Sequence, residues 1–385
     1  GAKSINTPAI DNLANTGVRF TNAHACAATS TPSRYSLLTG EYCHKNPNSN
    51  VANGDASMII KPEQFTLADL FKNNEYKTAA IGKWHLGLGS TSGQQDWNNK
   101  LDLTPADIGF DYSYIMAATA DRVPCVWIEN DRVANFDPSS PIEISYSENF
   151  DTEPTLYDYE GNLLLQSSHG HDQSVVNGIG RIGFMRGGGK AVWKDESIAD
   201  SIVKKTVEFI NQNQENPFFI YLCTNDIHVP RWPAERFRGK SEMGLRGDAI
   251  LQLDWTVEVI TKTLENLGLR ENTLIILTSD NGPILDDGYH DNAEQLLGDH
   301  LPAGNNRGTK YSAYNGGSKV PFIVSWPTHT PKGKVSNALL SQIDCIASFA
   351  KLLNTTLPQD VAIDSRNFLK TWLGVSNQST PFAIS

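Results

Sequence analysis

Three apolar, strand-like runs most constrain what this chain can fold into, because each follows a helix-spaced segment and each ends in residues that carry chemistry. Ala79-Ala80-Ile81 follows a helix signalled by Thr66, Leu67, Leu70 and Phe71, and runs into Gly82-Lys83-Trp84-His85. Pro217-Phe218-Phe219-Ile220-Tyr221-Leu222-Cys223 follows a helical stretch over residues 197–210 and runs into Thr224-Asn225-Asp226-Ile227-His228-Val229-Pro230. Thr273-Leu274-Ile275-Ile276-Leu277-Thr278 follows residues 248–267, where Ile250, Leu251, Leu253, Val257, Ile260 and Leu264 are expected on the inner side of a long helix. It runs into Ser279-Asp280-Asn281-Gly282. Amphipathic helices alternating with fully apolar strands are the pattern of an α/β sheet, which binds ligands beyond the C-terminal ends of its strands. Lys83 and His85 stand two apart and share one side if their strand continues. His228 falls just past a strand end, and Asp280 with Asn281 offers hard oxygen donors there. Each has an ordinary alternative as well: a charged strand end, a structural histidine, an Asn-Gly turn.

At 385 residues the chain can bury a sizeable core, and one large α/β domain fits that length better than several modules. A net charge of −11 argues against a nucleic-acid or anionic-membrane partner. It leaves room for an anionic substrate, because a local cluster of Lys, Arg and His makes a positive pocket in an acidic protein. Cys26, Cys43, Cys125, Cys223 and Cys345 are scattered without metal-finger spacing and read as small buried residues. No apolar run is long enough to span a bilayer. No signal peptide is visible, and the chain reads as beginning mid-fold, with Thr7-Pro8 opening a helix that Gly17 closes.

Ser30-Thr31-Pro32-Ser33-Arg34-Tyr35-Ser36-Leu37-Leu38-Thr39-Gly40 reads as a helix start carrying a reactive group, delivered by a strand over residues 18–23. Ser30 is expected at the N-cap, Pro32 in the first turn and Gly40 at the end. Unpaired N–H groups and the positive helix end then surround Ser30, with Arg34 one turn along the same face, which suits an anion. A capped surface helix carries the same Ser and Pro signals. From residue 89 to about 195 the regular alternation fades, apart from a hairpin expected around Asn130-Asp131. Arg186-Gly187-Gly188-Gly189-Lys190 lacks the Ser or Thr of a phosphate-binding loop. Arg122, His171 and Asp172 in this irregular segment are expected to touch the organic part of a substrate, the alternative being a polar loop.

The pattern Ser-x-Pro-Ser-Arg-x-x-x-Leu-Thr-Gly resembles the maturation signature of the type I sulfatases, in which the first Cys or Ser is oxidised to formylglycine. With Ser30 in that place the resemblance is to the Ser-type branch. Gly82-Lys83-Trp84-His85-Leu86-Gly87, Ser279-Asp280-Asn281-Gly282 and Asn306-Arg307-Gly308-Thr309-Lys310 match further sulfatase motifs in the same order. Asn315 stands where family members often carry Glu, a departure that touches turn geometry more than chemistry. The resemblance implies the alkaline-phosphatase-like α/β fold, with a mixed, largely parallel central sheet and helices on both faces. Residues 1–355 would form the main domain, residues 89–195 a substrate-facing insertion, and residues 356–385 the start of a C-terminal region.

The same resemblance implies that Ser30, Arg34, Lys83, His85, His228 and Lys310 form the catalytic set. Asp280, Asn281 and the residue-30 side chain would be ligands of Ca²⁺, with Mg²⁺ as the alternative. The implied activity is hydrolysis of sulfate esters on a sulfated carbohydrate of galactose or N-acetylgalactosamine type, after a formylglycine-generating maturase has acted on Ser30. The implied setting is bacterial, periplasmic or secreted. A phosphonate or phosphate ester hydrolase of the same superfamily is the enzymatic alternative, and a sulfatase-like protein that binds sulfated glycans without cleaving them is the non-enzymatic one. Sulfatases also begin with a strand ending in an Asp-Asp pair that ligates the metal. Nothing before Thr7 matches it, so the chain is expected to be a fragment of a longer enzyme.

Overall fold

The structure is a computed structural model and describes residues 3–385. Pro8, whose missing N–H costs nothing in a first turn, opens α1 (Pro8–Asn15), and β1 (Val18–His24) follows. Next come α2 (Ser30–Thr39), ended by Gly40 in the left-handed conformation, and α3 (Leu67–Lys72). A capping box fixes the start of α3, since Thr66 and Asp69 satisfy each other's backbone N–H groups. β2 (Lys77–Lys83), β3 (Tyr112–Met116), β4 (Trp127–Glu129) and β5 (Arg132–Val133) follow, then the short strands β6 (Glu143–Ser145), β7 (Val175–Val176), β8 (Ile179–Gly180) and β9 (Phe184–Arg186). The second half holds α4 (Ile198–Gln212), β10 (Phe218–Cys223), α5 (Gly244–Asn266), β11 (Ile275–Thr278), α6 (Asn315–Ser318), β12 (Lys319–Ser325), β13 (Lys334–Ser341), α7 (Cys345–Leu352) and α8 (Leu369–Trp372).

The main strands form two mixed sheets, ordered β10-β2-β3-β4-β5 and β11-β12-β1-β13. Parallel pairing joins β10 to β2, β2 to β3, and β1 to β13, while the remaining pairs are antiparallel. The hairpin expected at Asn130-Asp131 is the β4–β5 turn, with Asn130 at φ +57°. Residues 89–195 are more than a loop segment: β3 lies within them and extends the sheet beside β2. Helices α2, α3 and α7 pack together, as do α1, α4 and α5, and β2 touches α3 of the first group and α4 of the second. Trp372 of α8 is buried against Phe322 and Phe349, so the stretch after residue 355 contributes to the same core. Among the described residues no helix is long and apolar enough to cross a membrane.

Two departures from the sequence expectation occur together. Leu264 of α5 is buried, but Ile250, Leu251, Leu253, Val257 and Ile260 are only half-buried. The inward positions belong to polar residues with partners: Asp254 accepts from Ala9 N (3.1 Å) and Ile10 N (2.8 Å), satisfying the open end of α1, and Gln252 donates to Asp226 (2.8 Å). The apolar runs β10 and β11 are likewise half-buried along their whole length, and each ends its sheet. Among the described residues the outer edges of the apolar strands β10 and β11 therefore have no ladder partner.

A pH effect arises at the start of α7, where Asp344 is 1% exposed and burial pushes its carboxyl up to about 7. A group whose folded pKa exceeds its unfolded value binds more protons in the native state, so stability falls as pH rises from about 4 to 7. Asp344→Asn is expected to raise unfolding free energy by about 1–3 kcal/mol at pH 8 and to change it little at pH 4. Denaturant titrations at the two pH values check this; equal effects at both would sink it.

Candidate active site

The ends of β2, β10 and β11 and the start of α2 bring the chemistry-bearing residues together. Thr29, not Ser30, is the N-cap of α2, and its side chain makes no cap bond; Ser30 is the first helical residue. The reason is that the Ser30 side chain has another partner, accepting from Arg34 Nε at 2.7 Å. Arg34 also donates to Asp280 Oδ2 from Nε (2.9 Å), and its Nη2 lies 2.8 Å from the same oxygen. Its Nη1 reaches the Lys83 carbonyl at 2.9 Å, tying α2 to the end of β2. Lys83 Nζ stands 3.8 Å from Asp280 Oδ2, so one carboxylate faces two cations beside the Ser30 hydroxyl.

Burial works against every charge in this group. It would raise the Asp280 carboxyl, but Arg34 and Lys83 overrule it and hold that group far below the usual carboxylate range. Burial pushes Lys83 down to about 7, because Asp280 only partly offsets it and Arg34 and Lys310 add like charge. His85 does not share a side with Lys83 on a continuing strand. β2 ends at Lys83, and His85 turns back at φ +59° with its carbonyl accepting from Thr31 Oγ1 at 2.9 Å. His85 Nε2 faces the Ala52 carbonyl at 2.9 Å and therefore carries the hydrogen, while the buried Nδ1 has no partner among the described residues. Burial, then the charges of Lys83, Arg122 and Arg34, push this histidine well below its ordinary pKa.

A second group stands opposite. Lys310 Nζ donates to Asp287 Oδ2 at 2.6 Å and lies 3.4 Å from His228 Nε2, while Tyr311 OH donates to Asp287 Oδ1 at 3.0 Å. His228 Nδ1 faces its neighbour's carbonyl, Val229 O, at 2.7 Å, so Nδ1 carries the hydrogen and Nε2 accepts from the lysine. Burial, followed by Lys83 and Lys310, pushes His228 down. Burial would lower Lys310, yet Asp287 outweighs it and raises that pKa.

The irregular segment supplies a third group. His171 Nε2 is 2.9 Å from Asp121 Oδ2, and its Nδ1 is 3.2 Å from the His169 carbonyl, so both ring nitrogens face protein acceptors. Asp172 lies away from it, accepting from the exposed Tyr157 OH at 2.7 Å. Arg122 donates from Nη1 to Asp121 and Thr119. Sequence reasoning overlooked Asp121 and Asp287. Asp121 had one available signal, its place beside Arg122; Asp287 had none, because its meeting with Lys310 is purely tertiary.

The residues present do not complete a divalent-cation site. Ca²⁺ takes about 6–8 oxygen ligands, whereas Asp280 is the carboxylate beside Ser30, and Asn281 offers only its Oδ1, since its Nδ2 donates to Gly282 O at 2.9 Å. Among the described residues no three His, Cys, Asp or Glu side chains are grouped to hold a metal.

The family model described as Sulfatase matches residues 1–355. An N-acetylgalactosamine-6-O-sulfatase of Bacteroides thetaiotaomicron is 48% identical over 384 residues, covering 100% of this chain and 75% of that relative. Human steryl-sulfatase is 28% identical over 418 residues, covering 98% of this chain and 67% of that one. A solved sulfatase structure from the glycosaminoglycan metabolism of Bacteroides thetaiotaomicron superposes with a TM-score of 0.97 at 48% identity, covering 100% of this chain and 79% of that chain. A phosphonate monoester hydrolase of Agrobacterium radiobacter, at 15% identity and a TM-score of 0.56, covers 100% of this chain and 75% of its own, and shares the fold.

Proposed function

We propose that this chain, which belongs to the sulfatase family, removes a sulfate ester from the 6-position of an N-acetylgalactosamine or galactose unit of a sulfated glycan, using a formylglycine made from Ser30. The supporting observation is the convergence of Ser30, Arg34, Lys83 and Asp280 at 2.7–3.8 Å, together with the N-acetylgalactosamine-6-O-sulfatase that shares 48% of its residues. A bacterial origin and action in the periplasm or outside the cell go with this reading, as does a maturase partner.

Oxidised and hydrated, residue 30 supplies two hydroxyls on one carbon, one to attack sulfur and one whose collapse to the aldehyde releases inorganic sulfate; an unmodified serine would be sulfated once and stop. The chain's own residues do the rest. Arg34 donates to the residue-30 oxygen and stabilises its anionic form. Lys83 and Lys310 receive the non-bridging sulfate oxygens. The unpartnered Nδ1 of His85 takes the proton released when the second hydroxyl collapses. In the resting site His228 Nε2 lies 3.4 Å from Lys310 Nζ, which places His228 to pass a proton to the leaving sugar oxygen. Sulfatases generally carry a divalent metal as well. Asp280 and Asn281 would be among its ligands in this reading, and no step here is routed through it.

The test is sulfate release by the full-length protein co-expressed with a formylglycine-generating maturase. Release from N-acetylgalactosamine 6-sulfate, with kcat/KM for an aryl sulfate at least about tenfold above that for an aryl phosphonate, is the expected result. A phosphonate preference, or tight binding of the sulfated sugar by fully converted protein with no sulfate released, would overturn it.

A further inference from the structure

Arg231 and Arg246 share one carboxylate, and Arg231 takes it. Arg231 is 1% exposed and bonded at all three nitrogens: Nη1 donates to Asp291 Oδ2 at 2.6 Å and to the Leu285 carbonyl at 2.9 Å, Nη2 to the Ile284 carbonyl at 3.0 Å, and Nε to the Ile227 carbonyl at 3.2 Å. The other Asp291 oxygen, Oδ1, accepts from Ala293 N at 3.1 Å. Arg246, in the first turn of α5, is 8% exposed and makes no hydrogen bond or ion pair among the described residues; its Nη1 is buried without a partner. Burial and the like charge of Arg231 push it down to about 10, and Asp291 offsets them only in part. Buried charges are normally paired and buried N–H groups normally bonded, so an unpartnered guanidinium here carries a cost that a bound anion would recover.

The surroundings continue the same sign. His300 lies within electrostatic reach of Arg246, and its ring makes no hydrogen bond among the described residues. The backbone N–H groups of Leu245 and Arg246, at the positive end of a 23-residue helix, have no acceptor there either. A fork of guanidinium donors, a histidine and open helix-start N–H groups suit an oxyanion. The place adjoins the catalytic group without belonging to it. Arg231 stands three residues after His228, and the carbonyls it grips lead into Asp287, the partner of Lys310. Asp287 and Asp291 are four residues apart, so their Cα atoms are separated by no more than about 14 Å.

We propose that Arg246 and His300 form a second oxyanion subsite, which holds the carboxylate or sulfate of the sugar next to the one that is desulfated. The inference rests on the sulfatase reading and widens its substrate from a single sulfated sugar to an anionic glycan chain.

The test uses the maturase-converted full-length enzyme and three kinds of substrate: N-acetylgalactosamine 6-sulfate alone, its disaccharides with a hexuronate in either linkage order, and the same disaccharides with the carboxylate reduced to an alcohol or replaced by a sulfate ester. Wild type is expected to turn over a disaccharide with an anionic neighbour with kcat/KM at least about tenfold above its reduced form, and the better of the two anions identifies the oxyanion. Arg246→Met should bring that ratio within about twofold of unity while leaving kcat/KM for the monosaccharide within about threefold. Its Tm should be no lower than that of wild type, because an unpaired buried charge has been removed. His300→Ala should lose part of the preference, and it keeps the test open if Arg246→Met does not fold. Absence of any preference in wild type, equal losses on monosaccharide and disaccharide, or a marked fall in Tm that shows Arg246 already paired within the full-length protein would overturn the subsite. So would a wild type without the preference that binds one more inorganic sulfate than Arg246→Met, since the site would then serve the free ion. A wild-type enzyme that hydrolyses none of these substrates would instead overturn the sulfatase reading beneath it.

Discussion

Ser30→Ala protein, expressed with the maturase, is expected to release sulfate at least about 10⁴-fold more slowly than wild type while remaining folded. The loss is large because no neighbouring group can substitute: Ser33 is bonded to the backbone of Ala27 at both its donor and acceptor sides, and Thr31 donates to the His85 carbonyl. The fold survives because Ser30 Oγ bonds with Arg34 and Asp280, and those two keep each other and the Lys83 carbonyl without it. The expected stability change is therefore about 1 kcal/mol or less. Wild-type protein expressed without the maturase should match the variant, since serine lacks the second hydroxyl. Residual turnover above about 1% of wild type in Ser30→Ala would exclude residue 30 as the nucleophile's precursor.

Asp280→Ala carries the largest expected cost in stability. It leaves Arg34 and Lys83, whose side chains are 7% and 4% exposed, side by side without their counter-charge. Removing one partner of a buried ion pair costs about 3–5 kcal/mol, and the lower end applies here because the Asp280 side chain retains 21% exposure. The midpoint of urea unfolding should fall accordingly. Adding Lys83→Met should return part of the loss, because the cation with the most depressed pKa is then gone. A single variant as stable as wild type would show that the Arg34–Lys83–Asp280 cluster contributes nothing net to folding.

Ser30, Arg34, Lys83, Asp280 and His228 could be singled out because each lies in or beside a segment that resembles a sulfatase motif; local pattern alone left each with an ordinary alternative. The α/β class was legible from the uninterrupted apolar runs of β2, β10 and β11, although only β2 is fully buried along nearly all its length. Side-chain direction was not legible. The polar side of α5 faces inward because Asp254 serves the N–H groups of α1, a partner about 245 residues away in sequence that no periodicity can announce. Ser30 gives up the N-cap because Arg34 reaches back to it, and His85 leaves the strand's side because the backbone turns to a positive φ.

What the sequence by itself determined is which residue types stand at the strand ends, their order, and hence the class of fold and of chemistry. Local hydrophobicity, which acts over a few residues, set the fold class, and the class of chemistry was implied by the motifs' resemblance to the sulfatases. Only the tertiary structure decided which cation meets which carboxylate: Asp280 between Arg34 and Lys83, Asp287 on Lys310, Asp121 on Arg122 and His171. Apart from Asp121 and Arg122, which are chain neighbours, those pairings depend on distances of 2.6–3.8 Å between segments separated in the chain. In a buried site such distances set the sign and size of every pKa shift, because desolvation penalises all the charges and only the nearest opposite charge offsets it.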